Sequence, residues 1–225
     1  MRLPVVNLLF AAALLPIFVG AVACQTPVSP NATYPRLSIG ADIVPDQATA
    51  AYSMNHIALL VNNLTASLDF YTRILGMRIV HRVEATSWFG VVYLSYSHGG
   101  RNGTGWELSA ELYRQRTNNE GLVELMYRRN RPEKLPGSGD GRGPLSHIGL
   151  VVPDVAAAQK RMEENDVPIL RKAGELLETL PPPLARSFGL IDLTEAENYE
   201  IVRAMPRFLM VTDPDGNVVE IQPQV

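Results

Sequence analysis

Two stretches of the chain share one rhythm. Asn55-His56-Ile57-Ala58-Leu59-Leu60-Val61 and Ser146-His147-Ile148-Gly149-Leu150-Val151-Val152 are apolar runs of strand length, set 91 residues apart. Runs this short between turn-forming residues read as strands. At the same offset Asn63 falls on Asp154. Each is a good helix N-cap, and a 3.6-residue pattern follows each. The spacing predicts a helix over 64–75 with Leu68, Tyr71, Ile74 and Leu75 inward, closed by Gly76. A second is predicted over 155–165 with Val155, Ala158 and Met162 inward. Further strands are expected at 77–83 and 91–97. The ends of the two stretches also match. Leu122-Val123-Glu124-Leu125-Met126 echoes Val218-Val219-Glu220-Ile221-Gln222, each with one carboxylate among apolar neighbours. Asp213-Pro214-Asp215-Gly216 has the residues of a tight turn and joins strands at 207–212 and 217–222.

Each half therefore reads strand, helix, strands. The expected fold is α+β, with modules at 53–130 and 146–225 and a linker at 131–145. Insertions interrupt the modules at about 98–121 and 174–206. The first contains a stretch of helical character at 108–116, and the second contains Pro181-Pro182-Pro183. Insertions of this length act as lids or as solvated decoration.

The first 23 residues have a different character. Arg2 is the only charge, 8–15 is unbroken apolar sequence, and Ala21-Val22-Ala23 suits a signal peptidase. The apolar stretch is shorter than the ~20 residues of a spanning helix. The expectation is a cleaved leader, a secreted protein and no stable membrane association afterwards. Residues 24–52 read as an N-terminal arm. Asn31, Asn63 and Asn102 begin Asn-x-Thr sequons, so a eukaryotic source would add glycans, with Asn63 the poorest acceptor because it also caps a helix.

Composition narrows the function. The formal charge is -3 and no Lys/Arg block is long enough for a nucleic-acid footprint. The lone cysteine, Cys24, rules out an internal disulfide framework and a cysteine-built zinc site. The remaining metal-binding chemistry falls on four residues. His56 and His147 begin equivalent strands, and Glu124 and Glu220 sit on equivalent later ones. A single strand histidine is commonly a hydrogen-bonded core residue, whereas a carboxylate inside an apolar strand needs a partner. Two imidazoles and two carboxylates at repeat-equivalent positions form a sound donor set for a divalent metal, provided pseudo-symmetry brings them together between the modules. His81 and His98 have no repeat partners and read as a strand-surface and a loop residue.

The runs His56-Ile-Ala-Leu, Leu68-Asp-Phe-Tyr-Thr-Arg-Ile-Leu-Gly76, His147-Ile-Gly-Leu-Val-Val-Pro-Asp and Asp213-Pro-Asp-Gly-Asn-Val-Val-Glu220 resemble the vicinal oxygen chelate (glyoxalase/bleomycin resistance/dioxygenase) superfamily, above all its glyoxalase I (lactoylglutathione lyase) branch. The resemblance implies two βαβββ modules whose sheets curve around a metal, zinc or nickel, held by His56, Glu124, His147 and Glu220. Glu107 and Glu111 rival Glu124 for its place. The implied reaction is proton transfer next to a carbonyl through a metal-stabilised enediolate, on the hemithioacetal of a 2-oxoaldehyde or a related vicinal-oxygen compound. Glu220 is the implied base, and Glu124 a second base or a steady ligand. Where the branch recognises its thiol this sequence departs. Leu60 stands in place of an Arg, Arg128 of an Asn and Gly143 of an Arg, while Arg171 matches a Lys in charge. Arg171 and Arg128 are the implied substrate-binding residues. The implied partners are a small-molecule substrate and a second copy in a homodimer. Two other roles fit the fold: a non-catalytic small-molecule binder, and a dioxygenase. The latter wants a second histidine between His147 and Glu220, and none is there.

Overall fold

A computed structural model describes residues 34–44, 46–98, 105–130 and 132–224. The leader, Cys24, Asn31 and Asn102 lie outside them. The chain divides into two compact units, Met1–Ile39 and Gly40–Val225. Residues 34–39 of the first are irregular and exposed. Among the described residues no helix is long and apolar enough to cross a membrane.

The second unit holds two four-stranded mixed sheets. Strands β1 (His56–Val61), β2 (Arg78–Glu84), β3 (Phe89–Ser95) and β4 (Leu122–Arg128) form the first, in the order β1-β4-β3-β2. Strands β5 (His147–Val152), β6 (Ile169–Arg171), β7 (Leu209–Thr212) and β8 (Val218–Pro223) form the second, in the order β5-β8-β7-β6. The first and last strands of each module are parallel neighbours and the others antiparallel. This is the βαβββ arrangement twice, and both sheets are open. Helix α1 (Leu64–Leu68) starts at Asn63, whose side chain accepts the Ala66 N–H, and α3 (Val155–Glu164) starts at Asp154 in the same way. Over Asp69–Ile74, α1 widens to π-type bonding. That wider winding turns Phe70 inward beside Tyr71 and Ile74, and leaves Leu68 and Leu75 at the edge of the core. Gly76 ends the helix at φ +80°, where a side chain is strained.

Alternation along the strands decides which face is buried. Leu59, Val61, Val92, Leu94, Val123 and Leu125 of the first sheet join Leu209, Val211, Val219 and Ile221 of the second in one core, with α1 and Met162 of α3. The modules therefore share their helix-covered faces. The other faces are dressed by the insertions. Helix α2 (Ser109–Gln115) packs beside β2, while α4 (Pro182–Ser187) and α5 (Glu195–Ala204) bury Leu184 and Val202 against Met210 and Val218.

Two buried carboxylates fasten the modules. Asp215 accepts from the Asn62 backbone and side chain and from Ser67, and Asp213 accepts from the Tyr71 hydroxyl at 2.9 Å and from Asn217. Burial pushes the Asp213 carboxyl and the Tyr71 hydroxyl upward in pKa. The linker is knitted to the same turn. Ser138 N–H donates to Asn217 and its hydroxyl accepts from Val218 N–H, and a Cβ on Gly137 would stand 2.4 Å from the Asp215 carbonyl oxygen.

Candidate metal centre

His56 and Glu124 meet because β1 and β4 are parallel neighbours. Glu124 pairs in register with Ala58, so His56 sits two residues back on the same face. Nε2 of His56 and Oε2 of Glu124 are 3.2 Å apart. The same construction places His147 Nε2 3.9 Å from Glu220 Oε2, through the Gly149–Glu220 register. Both pairs lie on the faces turned away from the shared core. Among the described residues no group of three or more His, Cys, Asp or Glu is placed to hold one ion. Within one chain the four residues do not meet: the apolar sides of the two sheets join, and the carboxylate-bearing sides look outward.

Each histidine is oriented by its preceding residue. His56 Nδ1 lies 2.9 Å from Asn55 Oδ1, and His147 Nδ1 lies 2.9 Å from Ser146 Oγ. The Asn55 amide has only one available orientation. Its Nδ2 donates to the carbonyls of Arg116 (2.9 Å) and Asn119 (2.7 Å), so Oδ1 must face the imidazole. His56 Nδ1 consequently carries a proton and donates it to Oδ1. For the neutral ring, Nε2 is then a bare lone pair facing a carboxylate. A divalent ion about 2.0–2.2 Å from both atoms would set them about 3.0–3.4 Å apart, so the first pair fits half of a metal site as it stands. The second pair is slightly wider.

The two glutamates are not held alike. In register across the first sheet run Glu124, Tyr93 and His81; across the second run Glu220, Met210 and Arg171. The Tyr93 hydroxyl donates to Glu124, and burial followed by that bond raises the pKa of the phenol. Met210 has nothing to donate to Glu220. Phe188, just past α4, sits edge-on to His147 at 5.3 Å. The rivals Glu107 and Glu111 are spent locally: Glu107 accepts from the His98 backbone and Glu111 from Leu108 N–H at 2.7 Å.

His81 departs from the sequence expectation of a surface residue. It stacks on Tyr93 at 4.5 Å, Tyr113 of α2 stands edge-on at 5.4 Å, and its Nδ1 is shut off from solvent without a hydrogen-bond partner. Burial first, and the Arg116 charge second, hold its pKa below the ordinary histidine value. His98 lies in a loop, as its lack of a repeat partner suggested. Arg171 is buried, its guanidinium donating to the carbonyls of Phe208 and Pro206. Arg128 is exposed at the end of β4, over Trp88. Sequence reasoning passed over Asn55, Ser146 and Tyr93. An oxygen-bearing side chain immediately before each histidine was the available signal for the first two.

Comparison with known proteins decides the family. The profile described as Glyoxalase/Bleomycin resistance protein/Dioxygenase superfamily matches residues 53–178. The chain belongs to this superfamily. Its curated relatives in the Glyoxalase/Bleomycin resistance protein/Dioxygenase superfamily include the lactoylglutathione lyase of Pseudomonas aeruginosa, 28% identical over 182 residues, 79% of this chain and 85% of that protein. The lactoylglutathione lyase of Pseudomonas putida is 32% identical over 144 residues, 58% of this chain and 76% of that one. Among solved structures, the trypanothione-dependent glyoxalase I of Leishmania major aligns with a TM-score of 0.43 at 20% identity, over 77% of this chain and 87% of that one.

Proposed function

We propose that this chain is a glyoxalase-I-type, metal-dependent lyase acting on the hemithioacetal of a 2-oxoaldehyde or a related vicinal-oxygen compound. One observation carries the reading. The Asn55 amide, fixed by the Arg116 and Asn119 carbonyls, turns His56 so that Nε2 stands 3.2 Å from the Glu124 carboxylate, the spacing of two ligands on one divalent ion. The same His–Glu pair recurs in the second module, and lactoylglutathione lyases are among the relatives.

His56 and Glu124 would supply one half of the ion's ligands, and His147 and Glu220 the other. In one chain the halves face apart, so a second copy would bring the complementary pair. The ion, zinc or nickel in this reading, supplies Lewis-acid polarisation of the substrate oxygens. The chain does the rest. Tyr93 steadies Glu124, which stays a ligand. Glu220, free of any comparable donor, takes the proton from the carbon next to the carbonyl and returns it to the neighbouring carbon. Asn55 and Ser146 keep both imidazoles turned. The leader read at residues 1–23 would send this activity outside the cell.

The test is metal content and assembly of the purified chain, without added metal or chelator, followed by hemithioacetal isomerisation. One divalent ion per chain, a dimer and metal-dependent turnover are expected. A chain that takes up no metal on soaking overturns the reading and leaves a small-molecule binder as the better description.

A further inference from the structure

Beside the His56–Glu124 pair lies a pocket of about 160 Å³ that the family resemblance does not assign. It opens at the N-terminal ends of β1 and β4, where His56 pairs with Leu122. Leu60 and Arg128, the positions that stand where thiol recognition is implied, lie towards the opposite ends of the same strands. The pocket therefore faces the other end of any substrate that spans the pair.

Its walls mix one aromatic face with cationic and hydrogen-bonding groups. Tyr93 and the His81 ring stacked on it form one side, and Arg116 and Thr117 from the first insertion form the other. Arg116 pairs with no carboxylate among the described residues. Its guanidinium lies 4.1 Å from the Tyr113 ring centroid and donates to the Tyr113 carbonyl, which leaves donors to spare. Its position is built in: the Asn55 amide that orients His56 also holds the Arg116 carbonyl, so ligand and cation hang from one side chain. The volume is about that of five water molecules, enough for a two- or three-carbon group.

We propose that this pocket is a subsite for a small carboxylate, bound by Arg116 with a hydrogen bond from His81, and that it selects substrates ending in an acid group. The selectivity half of this inference rests on the proposed metal chemistry at His56 and Glu124; the binding half does not. A purely apolar end group would cover the spare guanidinium donors of Arg116 and offer them no acceptor, which is the basis of the discrimination.

The test titrates the metal-free full chain with propionate and with propionamide, which has the same shape and no charge. The readout is the Arg116 Nε–H and His81 ring signals by NMR. Propionate is expected to shift both saturably and to bind at least about tenfold more tightly than propionamide, the advantage of a charge-assisted pair over a neutral one. Arg116→Gln should reduce the preference to within about twofold, and His81→Phe, which keeps the stacking on Tyr93, should weaken propionate binding, each with an unchanged circular dichroism spectrum. Equal binding of the two probes, unmoved signals, or an undiminished preference in Arg116→Gln overturns the subsite. Metal uptake is measured on the same preparation. Uptake without propionate preference overturns the subsite alone; propionate preference without uptake supports the subsite and overturns the metal reading alone.

Discussion

Asn55 joins two tasks, and substitution separates them. Its Oδ1 takes the His56 Nδ1 proton at 2.9 Å, while its Nδ2 donates to the Arg116 and Asn119 carbonyls at 2.9 and 2.7 Å. Asn55→Ala removes all three bonds. Two lost donations to partly buried carbonyls cost about 0.5–1.5 kcal/mol each, so stability should fall by about 1–3 kcal/mol. The loss of the imidazole's orienting partner should weaken metal binding about 10- to 100-fold. Asn55→Asp keeps the acceptor facing His56 and sets a carboxylate oxygen against the two carbonyls. Its metal affinity should stay within about threefold of the wild type, while its stability falls at least as far as that of the alanine variant. Urea denaturation measures the first quantity and calorimetric titration with zinc the second. If Asn55→Ala binds zinc as tightly as the wild type, or if the two variants lose affinity equally, the orienting role of Oδ1 is wrong.

Three further predictions rest on separate parts of the molecule. Glu220→Gln should retain metal and abolish turnover, as measured by metal analysis and isomerisation rate; retained turnover would move the base elsewhere. Asp213 has a folded pKa above its ordinary value, mainly through burial, so the fold binds its proton more tightly than the unfolded chain does. That stabilisation is fully present below the ordinary aspartate range and is lost as pH rises through the folded value, so the stability margin of wild type over Asp213→Asn should widen from about pH 7 to about pH 4; a narrowing margin in denaturation curves contradicts this. Leu125→Ala, fully buried behind Glu124, should cost about 2–5 kcal/mol, whereas Leu60→Ala, half exposed on the outer face, should cost less than about 1 kcal/mol by the same curves.

Much of the fold was legible because the chain states it twice. The offset from His56 to His147, the caps at Asn63 and Asp154 and the tight turn at Asp213 are local signals, and each appears where the pattern put it. The pairing of each histidine with the glutamate of its own module was not read from the sequence; it comes from the parallel registers of β1 with β4 and β5 with β8. Nor was the direction in which the pairs face. A period of two tells which residues share a face, but both faces of these strands carry apolar residues: Leu59 and Val61 against Leu60 on β1, Val123 and Leu125 against Met126 on β4. Which face meets the other module depends on long-range packing. The partial burial of His81 was hidden for a similar reason, since its cover, Tyr113, lies within the first insertion, 32 residues further along the chain. Arg171, implied as a substrate-binding residue, donates to two carbonyls, a fact fixed by the path of residues 206–208 rather than by anything beside it.

The outward, opposite placement of the two His–Glu pairs has a consequence for mixtures of mutant chains. Where each working centre draws one pair from each of two copies, defects in different pairs complement. A chain carrying Glu124→Gln and a chain carrying Glu220→Gln are each inactive alone. Together they assemble one centre with both defects and one with none, so a mixed dimer regains about half the activity of the wild type. Two defects in the same pair, such as His56→Ala with Glu124→Gln, rescue nothing.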